Sequence, residues 1–495
     1  MSNPRLSVTS VFYGAVINPQ NLREYAILPR AVIALDPSGN IAWIEHDVAP
    51  NDMQDVINHR LSETYVPAGN AAHVTITRLE DGEFILPGFV DTHTHAPQVP
   101  NTGRGQQYEL LEWLDKMTFP MEARYQDILF AKRIYTEVVR RFIDCGTTTC
   151  CYYGSVHLEA TKTLADIVLD FGQRALVGKC CMDRECPDDV RDYSAGASVE
   201  ETKELIAYIR SLKSDLVQPV ITPRFAISCT NELLRGLGDL AKLDSTLAIQ
   251  THISENKGEI ILTQALFPDC PTYTSVYDTY DLLGKRTILA HGVRLEDEEL
   301  QLIKKKGAGI SHCPTSNFNI RSGMAKVGEM LDRGIKVGLG TDVSGGYSPS
   351  ILTAIQHASI CSKMVAVQSE IDVDVGAPER PGFANKQLPI ATLLYLATLG
   401  GASLCCMEDK IGSFAPGKSF DALIVSARPE TGNPSMWSLS DEFLEICSTS
   451  RPRGGSEAKQ ALDALLERFL FCGDDRNILK VFVQGRCIGG KSSRS

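Results

Sequence analysis

The stretch Pro87–Gln98, PGFVDTHTHAPQ, runs from apolar residues through an aspartate into two histidines one residue apart. Side chains alternate faces along a strand, so an extended His93 and His95 point the same way. Two imidazoles on one side of a strand end can share a metal ion, although two ligands do not complete a zinc site. The competing reading is a polar strand end facing solvent, with the spacing an accident.

Seven further β-branched runs end in polar residues as this one does: GTTTCCYYG (146–154), RALVGKCCMD (174–183), VQPVITPRF (217–225), LAIQTHISE (247–255), RTILAHG (286–292), GAGISHCP (307–314) and IKVGLGTDVS (335–344). Amphipathic helical stretches separate them. In DILFAKRIYTEVVRRFIDCG, Ile128, Ile134, Val138 and Phe142 fall at helical spacing and Gly146 follows as a stop. LEDEELQLIKKKG has acids in its first turn and lysines in its last, the order the helix dipole prefers, and then Gly307. Eight β-then-α units predict a closed (β/α)8 TIM-type barrel over residues 87–404, with an open doubly wound sheet as the alternative.

Both ends of the chain lie outside that barrel. VTSVFYGAVI, AVIALDPSGNIAWIEH and HVTITRLEDGEFIL precede it, and FDALIVSA and ILKVFVQGRCIGG follow it, all β-rich. Neither end can bury a core alone. Residues 1–86 and 405–495 are therefore expected to pair into one small β-sandwich-like domain, with a loop at STSRPRGGSE and a helix at SEAKQALDALLERFLF.

A chain of 495 residues is too long for one core of ordinary size, but suits a large α/β barrel with additions. The net charge of -12, with no basic run to offset it, argues against a general nucleic-acid or membrane-surface binder. The fifteen cysteines are scattered through apolar runs and include no pair of C-x-x-C motifs, which fits reduced thiols in a cytosol. No signal pattern or spanning apolar run is visible, so a soluble cytoplasmic protein is expected.

Active sites of such barrels lie at the C-terminal ends of the strands. Those ends carry His93 and His95 (first strand), Arg224 and Phe225 (fourth), and His252 and Glu255 (fifth). His291 ends the sixth, His312 the seventh and Asp342 the eighth. Three imidazoles and a carboxylate from strands one, five and eight form a nitrogen- and oxygen-rich set that suits Zn²⁺, with Fe²⁺ possible. Singly, each has a bland reading: His252 as a hydrogen-bonded core histidine, Asp342 as a turn residue.

The ordered series DTHTHAPQ, TPRFAISC, THISEN, LAHG, SHCPTSN and GLGTDVSGG resembles the amidohydrolase superfamily and, within it, the guanine deaminases. LLEWLDKMTFPMEAR, GTTTCCYY, GQRALVGKCCMD, YTSVYD and FLFCGDDRNI add agreement, and the likeness runs from about residue 84 to residue 485. It implies zinc-dependent hydrolytic deamination of guanine to xanthine and ammonia, in guanine catabolism, by a homodimer with one Zn²⁺ per chain. It places the metal ligands on His93, His95, His252 and Asp342, and the catalytic groups on Glu255 (proton shuttle), Asp342 and His291. Base recognition falls on Gln98, Arg224 and Phe225, with His95, His252, Glu255 and Asp342 also touching substrate.

Two absences narrow the class. Cytidine-type zinc deaminases carry H-x-E followed by P-C-x-x-C, and this sequence has no P-C-x-x-C. Binuclear amidohydrolases bridge two metals with a carboxylated lysine on strand four, where this chain has arginine in TPRF; Lys179, on strand three, is read as structural. Rival readings are another aminohydrolase or chlorohydrolase of the same barrel, and a catalytically dead scaffold. The pairing of TPRF with Gln98 disfavours the first, and retention of all four ligands with the acid disfavours the second.

Overall fold

In the computed structural model the described residues are 8–63, 74–371, 381–436 and 455–493. Five strands precede the barrel: β1 (Ser10–Pro19), β2 (Tyr25–Leu35), β3 (Ile41–Glu45), β4 (Thr75–Arg78) and β5 (Glu83–Pro87). β6 (Phe89–His95), β7 (Thr147–Tyr153), β8 (Arg174–Gly178), β9 (Val217–Ile221), β10 (Ala248–Ile253), β11 (Thr287–His291), β12 (Gly309–His312) and β13 (Lys336–Leu339) follow, one for each run read from the sequence. β14 (Ala422–Ser426), β15 (Ile478–Val483) and β16 (Arg486–Gly489) complete the set.

β6 to β13 pair in sequence order, all parallel. Strands such as β7 and β8 are buried along their whole length, as parallel strands covered on both faces must be. The last seam closes just past the end of β13. Asp342 donates its backbone N–H to His93 O (2.9 Å), and His95 donates to Val343 O (3.2 Å). That closure removes the open doubly wound sheet as an alternative. At the other end, Val90, Cys151, Leu176, Val220, Ala248 and Ile288 pack with Leu404, Cys405 and Ile411. The apolar plug seals the bottom and leaves the C-terminal mouth as the open end.

The helices follow their sequence signals. Ile128–Asp144 starts at Asp127, whose carboxylate accepts from the Leu129 and Phe130 N–H groups, and Gly146 beyond it has φ +88. Asp297–Lys306 ends at Gly307, φ +73, where a left-handed residue is needed to stop the helix. Gly455–Cys472 forms the expected C-terminal helix, while residues 448–454 of the expected loop lie outside the described residues.

The two ends of the chain do pair: β5 runs antiparallel to β14, from Pro87 opposite Ala422 to Glu83 opposite Ser426. The result is one mixed sheet, ordered β16-β15-β14-β5-β1-β2-β3 with β4 on β1. Three strand spacings separate β1 from β15, roughly 14 Å in a flat sheet. Yet the rings of Phe12 and Phe482 lie 5.3 Å apart, and Phe12 stacks on Phe420 at 4.7 Å. The sheet therefore curls over its own apolar face, which gives a sandwich-like core without two separate sheets.

Barrel and sheet share a buried ion pair. Arg174, at the N-terminal end of β8, donates from Nε to Asp421 Oδ2 (2.9 Å) and from Nη2 to Asp421 Oδ1 (3.3 Å) and Ser419 Oγ (3.3 Å). Both charged side chains are almost wholly buried. Removing one member of a buried pair costs about 3–5 kcal/mol, because the other stays buried without its partner. Arg174→Met should lose stability of that order in urea titration, while metal content at the opposite end of the barrel stays at the wild-type level.

Candidate metal centre and active-site cleft

β6 delivers His93 and His95 to the barrel mouth on one face, as the alternation predicts; both are buried, with ring centroids 5.0 Å apart. β10 brings His252 and, two residues past its end, Glu255; β11 ends in His291, and Asp342 lies three residues beyond β13. Ser254, His291 and Asp342 have φ of +46, +75 and +46. Non-glycine residues pay for that conformation, and such strain concentrates at functional sites. Here it turns the chain sharply at three strand ends, next to or at the residues that face the mouth.

His93, His252, His291 and Asp342 each offer a ligand atom, all within 4.8 Å of one another. His95 lies against this group: its Nε2 is 3.0 Å from His252 Nε2 and 3.5 Å from Asp342 Oδ1. His93 Nε2 is 3.1 Å from Asp342 Oδ1. The cluster thus contains one donor more than the set expected from the sequence, with His291 inside the tight group and His95 beside it.

The charge states suit a cation. Burial lowers the pKa of His93, and lowers those of His95 and His252 well below the usual imidazole range, with neighbouring histidines adding to the effect. Burial works against ionisation of Asp342 as well, but His93, His291 and His252 outweigh it and hold the carboxyl below its usual range. Neutral imidazoles facing a carboxylate are a metal donor set. Moreover His291 Nε2, within the cluster, is buried without a hydrogen-bond partner, a cost that a cation at its lone pair would relieve. The residues present fit a metal ion.

Neighbouring groups orient these donors. His252 Nδ1 contacts Arg224 O at 2.5 Å, which puts its proton there and leaves Nε2 free as a ligand. His291 Nδ1 meets Asn317 Oδ1 at 2.9 Å, and its Nε2 faces Glu255 Oε2 (3.4 Å) and Asp342 Oδ2 (3.7 Å). Glu255 takes a hydrogen bond from Ser322 Oγ (3.0 Å). Its loop is held by Glu259, whose Oε2 accepts from the Glu255 and Asn256 N–H groups. Burial raises the Glu255 pKa well above the carboxylate range, and the charges of Asp342 and Glu259 push it further. One cleft therefore holds two carboxyl groups pushed in opposite directions, Asp342 towards its charged form and Glu255 away from it.

The cleft at the barrel mouth holds about 400 Å³ of space, open solvent included. Gln98, Arg224 and Phe225 line the same cleft, together with the apolar side chains of Leu110, Trp113, Leu114 and Ile320. Gly345 also borders it, where a Cβ would come within 2.4 Å of Ser316 Oγ and 3.1 Å of Asp342 Oδ2. Arg224 is buried and donates from Nη1 to Glu122 Oε2 (2.6 Å), and Gln98 Nε2 donates to Glu122 Oε1 (2.9 Å). Burial disfavours the Arg224 charge, but the Glu122 carboxylate outweighs it and its pKa is raised.

Every site residue expected from the sequence thus borders one cleft or its metal cluster. Lys179 stays apart, buried against Asp192 (2.6 Å) and Glu201 (3.4 Å). His312 is buried, with neither ring nitrogen hydrogen-bonded, and is outside the tight cluster. Glu122, Asn317, Ser322 and Glu259 were not singled out in advance. Glu122 stands in TFPMEAR and Asn317 in SHCPTSN, stretches that carried the resemblance, but nothing local marks their partners.

Residues 84–488 match the amidohydrolase family. The chain is 42% identical to the probable guanine deaminase of Schizosaccharomyces pombe, over 97% of this chain and 83% of that one. It is 40% identical to the guanine deaminase of Homo sapiens, over 83% of this chain and 84% of that one. Its fold superposes with a TM-score of 0.80 on a crystal structure of guanine deaminase from C. acetobutylicum with bound guanine in the active site, at 32% identity, covering 98% of this chain and 100% of that one. The chain belongs to the amidohydrolase family and, within it, to the guanine deaminases.

Proposed function

We infer that the chain hydrolyses guanine to xanthine and ammonia, as the names of its relatives suggest, and serves guanine catabolism. The observation that carries the reading is that the donor cluster and Glu255 share one cleft with Gln98, Arg224 and Phe225. His93, His95, His252 and Asp342 would hold one Zn²⁺, with His291 left for catalysis. A bound Zn²⁺ supplies the polarisation that makes water nucleophilic near neutral pH.

The chain's own groups do the rest. Asp342, kept ionised by the surrounding imidazoles, accepts a proton from the attacking water. His291 Nε2, between Asp342 and Glu255, holds that water in line with the ring carbon bearing the amine. Glu255 starts protonated and gives its proton to the adjacent ring nitrogen, so that negative charge does not build up. Glu255, now ionised, takes up the proton of the adduct's hydroxyl while the proton held by Asp342 goes to the departing amine, which leaves as ammonia as the carbon becomes a carbonyl. Arg224 is a donor only and suits the acceptors of guanine's carbonyl edge, where adenine presents a donor amine. Phe225 packs on the ring face.

We also propose a cytoplasmic homodimer, and a division of the chain at 1–86, 87–404 and 405–495. No helix among the described residues is long and apolar enough to cross a membrane. Light scattering of the purified chain tests the dimer. A panel of aminopurines and aminopyrimidines, scored by ammonia release from the metal-replete protein, tests the substrate. Release from adenine or a triazine in preference to guanine would overturn it.

Elemental analysis should return one ion per chain. His93→Ala and His252→Ala should lose metal and turnover together. His95→Ala should lose metal, whereas His291→Ala should keep it and lose turnover; the opposite result would exchange their roles. Two ions per chain would reject the single-metal reading.

Glu255→Gln should fold and bind metal normally while kcat falls by about 10² or more, the loss expected for an essential proton donor. Residual activity within about tenfold of wild type would make Glu255 a loop-positioning residue.

Arg224→Met should lose kcat/KM for guanine selectively, narrowing the preference over adenine, with metal content unchanged. Retained guanine preference together with lowered stability would assign Arg224 to the scaffold.

A further inference from the structure

Glu122 closes the short helix Phe119–Glu122, in the segment between β6 and β7, and its side chain is fully buried. It has no place in the proton transfers above. Nevertheless both its oxygens are bound to side chains that line the cleft: Oε2 takes Arg224 Nη1 at 2.6 Å and Oε1 takes Gln98 Nε2 at 2.9 Å. The other end of the Gln98 amide meets the Ser344 N–H at 3.4 Å.

Two consequences follow from elementary chemistry. A glutamine amide is nearly symmetric in shape, so its donor and acceptor ends can exchange by a half-turn of the side chain. A carboxylate only accepts, so Glu122 forces the NH₂ of Gln98 toward itself and the oxygen toward Ser344 N–H. The hydrogen-bonding face that Gln98 offers the cleft is thereby fixed. The second consequence concerns charge. An unpaired guanidinium in a buried cleft attracts anions strongly. With Glu122 at 2.6 Å, the Arg224 unit is neutral overall but keeps its remaining N–H donors for a carbonyl.

We propose that Glu122 is the positioning residue that sets ligand discrimination: it locks the orientation of Gln98 and neutralises Arg224, so that the cleft binds a neutral oxopurine and releases an anionic one. The two purines differ in this respect for the proposed reaction. Guanine is neutral near physiological pH, whereas xanthine, with a second ring carbonyl, is more acidic and becomes an anion slightly above neutrality. A cleft with an uncompensated arginine would hold its own product. The proposal rests on the assignment of Arg224 and Gln98 as base readers.

The test compares competitive inhibition by xanthine and by hypoxanthine in the metal-replete enzyme at about pH 8, where the first is largely an anion and the second largely neutral. In Glu122→Gln, xanthine inhibition should tighten about tenfold while that by hypoxanthine does not tighten, since the variant leaves an uncompensated cation. The KM for guanine should rise about tenfold with kcat within about threefold, because the loss lies in binding rather than in the chemical step. Glu122→Asp keeps the charge but draws it back from Gln98. It should raise the KM for guanine while the xanthine-to-hypoxanthine ratio stays at the wild-type value. In an Arg224→Met background, Glu122→Gln should not move that ratio at all.

Equal shifts for both inhibitors in Glu122→Gln, or a fall in kcat and metal content with the ratio unmoved, would mark Glu122 as purely structural. If Glu122→Gln does not fold, the aspartate variant decides: an unchanged KM overturns the proposal. Arg224→Met sorts the two failures. Loss of guanine preference in Arg224→Met, with the ratio unmoved by Glu122→Gln in the otherwise wild-type enzyme, overturns this proposal alone. Retained guanine preference overturns the assignment of the readers, and this proposal with it.

Discussion

The donor cluster depends on the seam between the first and last barrel strands. Residues 91–95 and 341–343 come from strands some 250 residues apart, and they are joined without a regular ladder between β6 and β13. In its place, Asp91 Oδ1 accepts from the Thr341 N–H (3.1 Å), and Oδ2 from Thr341 Oγ1 (2.5 Å). Thr92 Oγ1 donates to Leu339 O (2.9 Å), and the His93 carbonyl accepts from Asp342 N–H (2.9 Å). Burial lifts the Asp91 carboxyl to about 7, with the bonds from Thr341 and the His93 N–H working against it. Because backbone and side-chain bonds share the closure, Asp342 is set against His93 to within a hydrogen-bond length. A slip of one residue at this seam would turn His93 and His95 away from the mouth.

Once the seam is fixed, the local electrostatics divide the two carboxyl groups. Asp342 faces imidazoles, which favour its charge; Glu255 faces Asp342 and Glu259, which oppose its charge, and has one hydroxyl, Ser322, in compensation. Carboxyl groups pushed in opposite directions within one cleft are how a site provides a base and an acid at the same pH. The left-handed backbone at Ser254, His291 and Asp342 belongs to the same arrangement. An extended continuation of these strands would carry the side chains past the mouth. Asn317 Oδ1 accepts from His291 Nδ1, Glu259 Oε2 accepts from the Glu255 N–H, and Ser322 Oγ donates to Glu255; these bonds hold His291 and Glu255 in place.

What the sequence revealed and what it hid divide along the same physical line. Strand period, helix dipole order and the glycine stops are local signals, and β6 to β13 with the helix Asp297–Lys306 fall where those signals put them. The i, i+2 spacing of His93 and His95 is equally local, and both rings do face the mouth. The curl of the terminal sheet was hidden, because it depends on Phe12 meeting Phe420 and Phe482 across most of the chain. So was the tight grouping of His291 with His93, His252 and Asp342, which depends on how far each strand end turns into the mouth.

Glu122 is the sharpest case of a residue hidden for this reason. Its neighbours in TFPMEAR form a short helical segment in which an acidic residue is unremarkable. Its partners, Gln98 and Arg224, lie 24 residues before it and 102 after it, so no spacing rule links them. A buried carboxylate shared by an amide and a guanidinium does two things that neither partner can do alone. It removes the freedom of the amide to reverse, and it cancels a charge that would otherwise select anions. Residues of this kind touch no reacting atom, and sequence reasoning built on chemistry-bearing motifs passes over them, although they decide what those motifs can recognise.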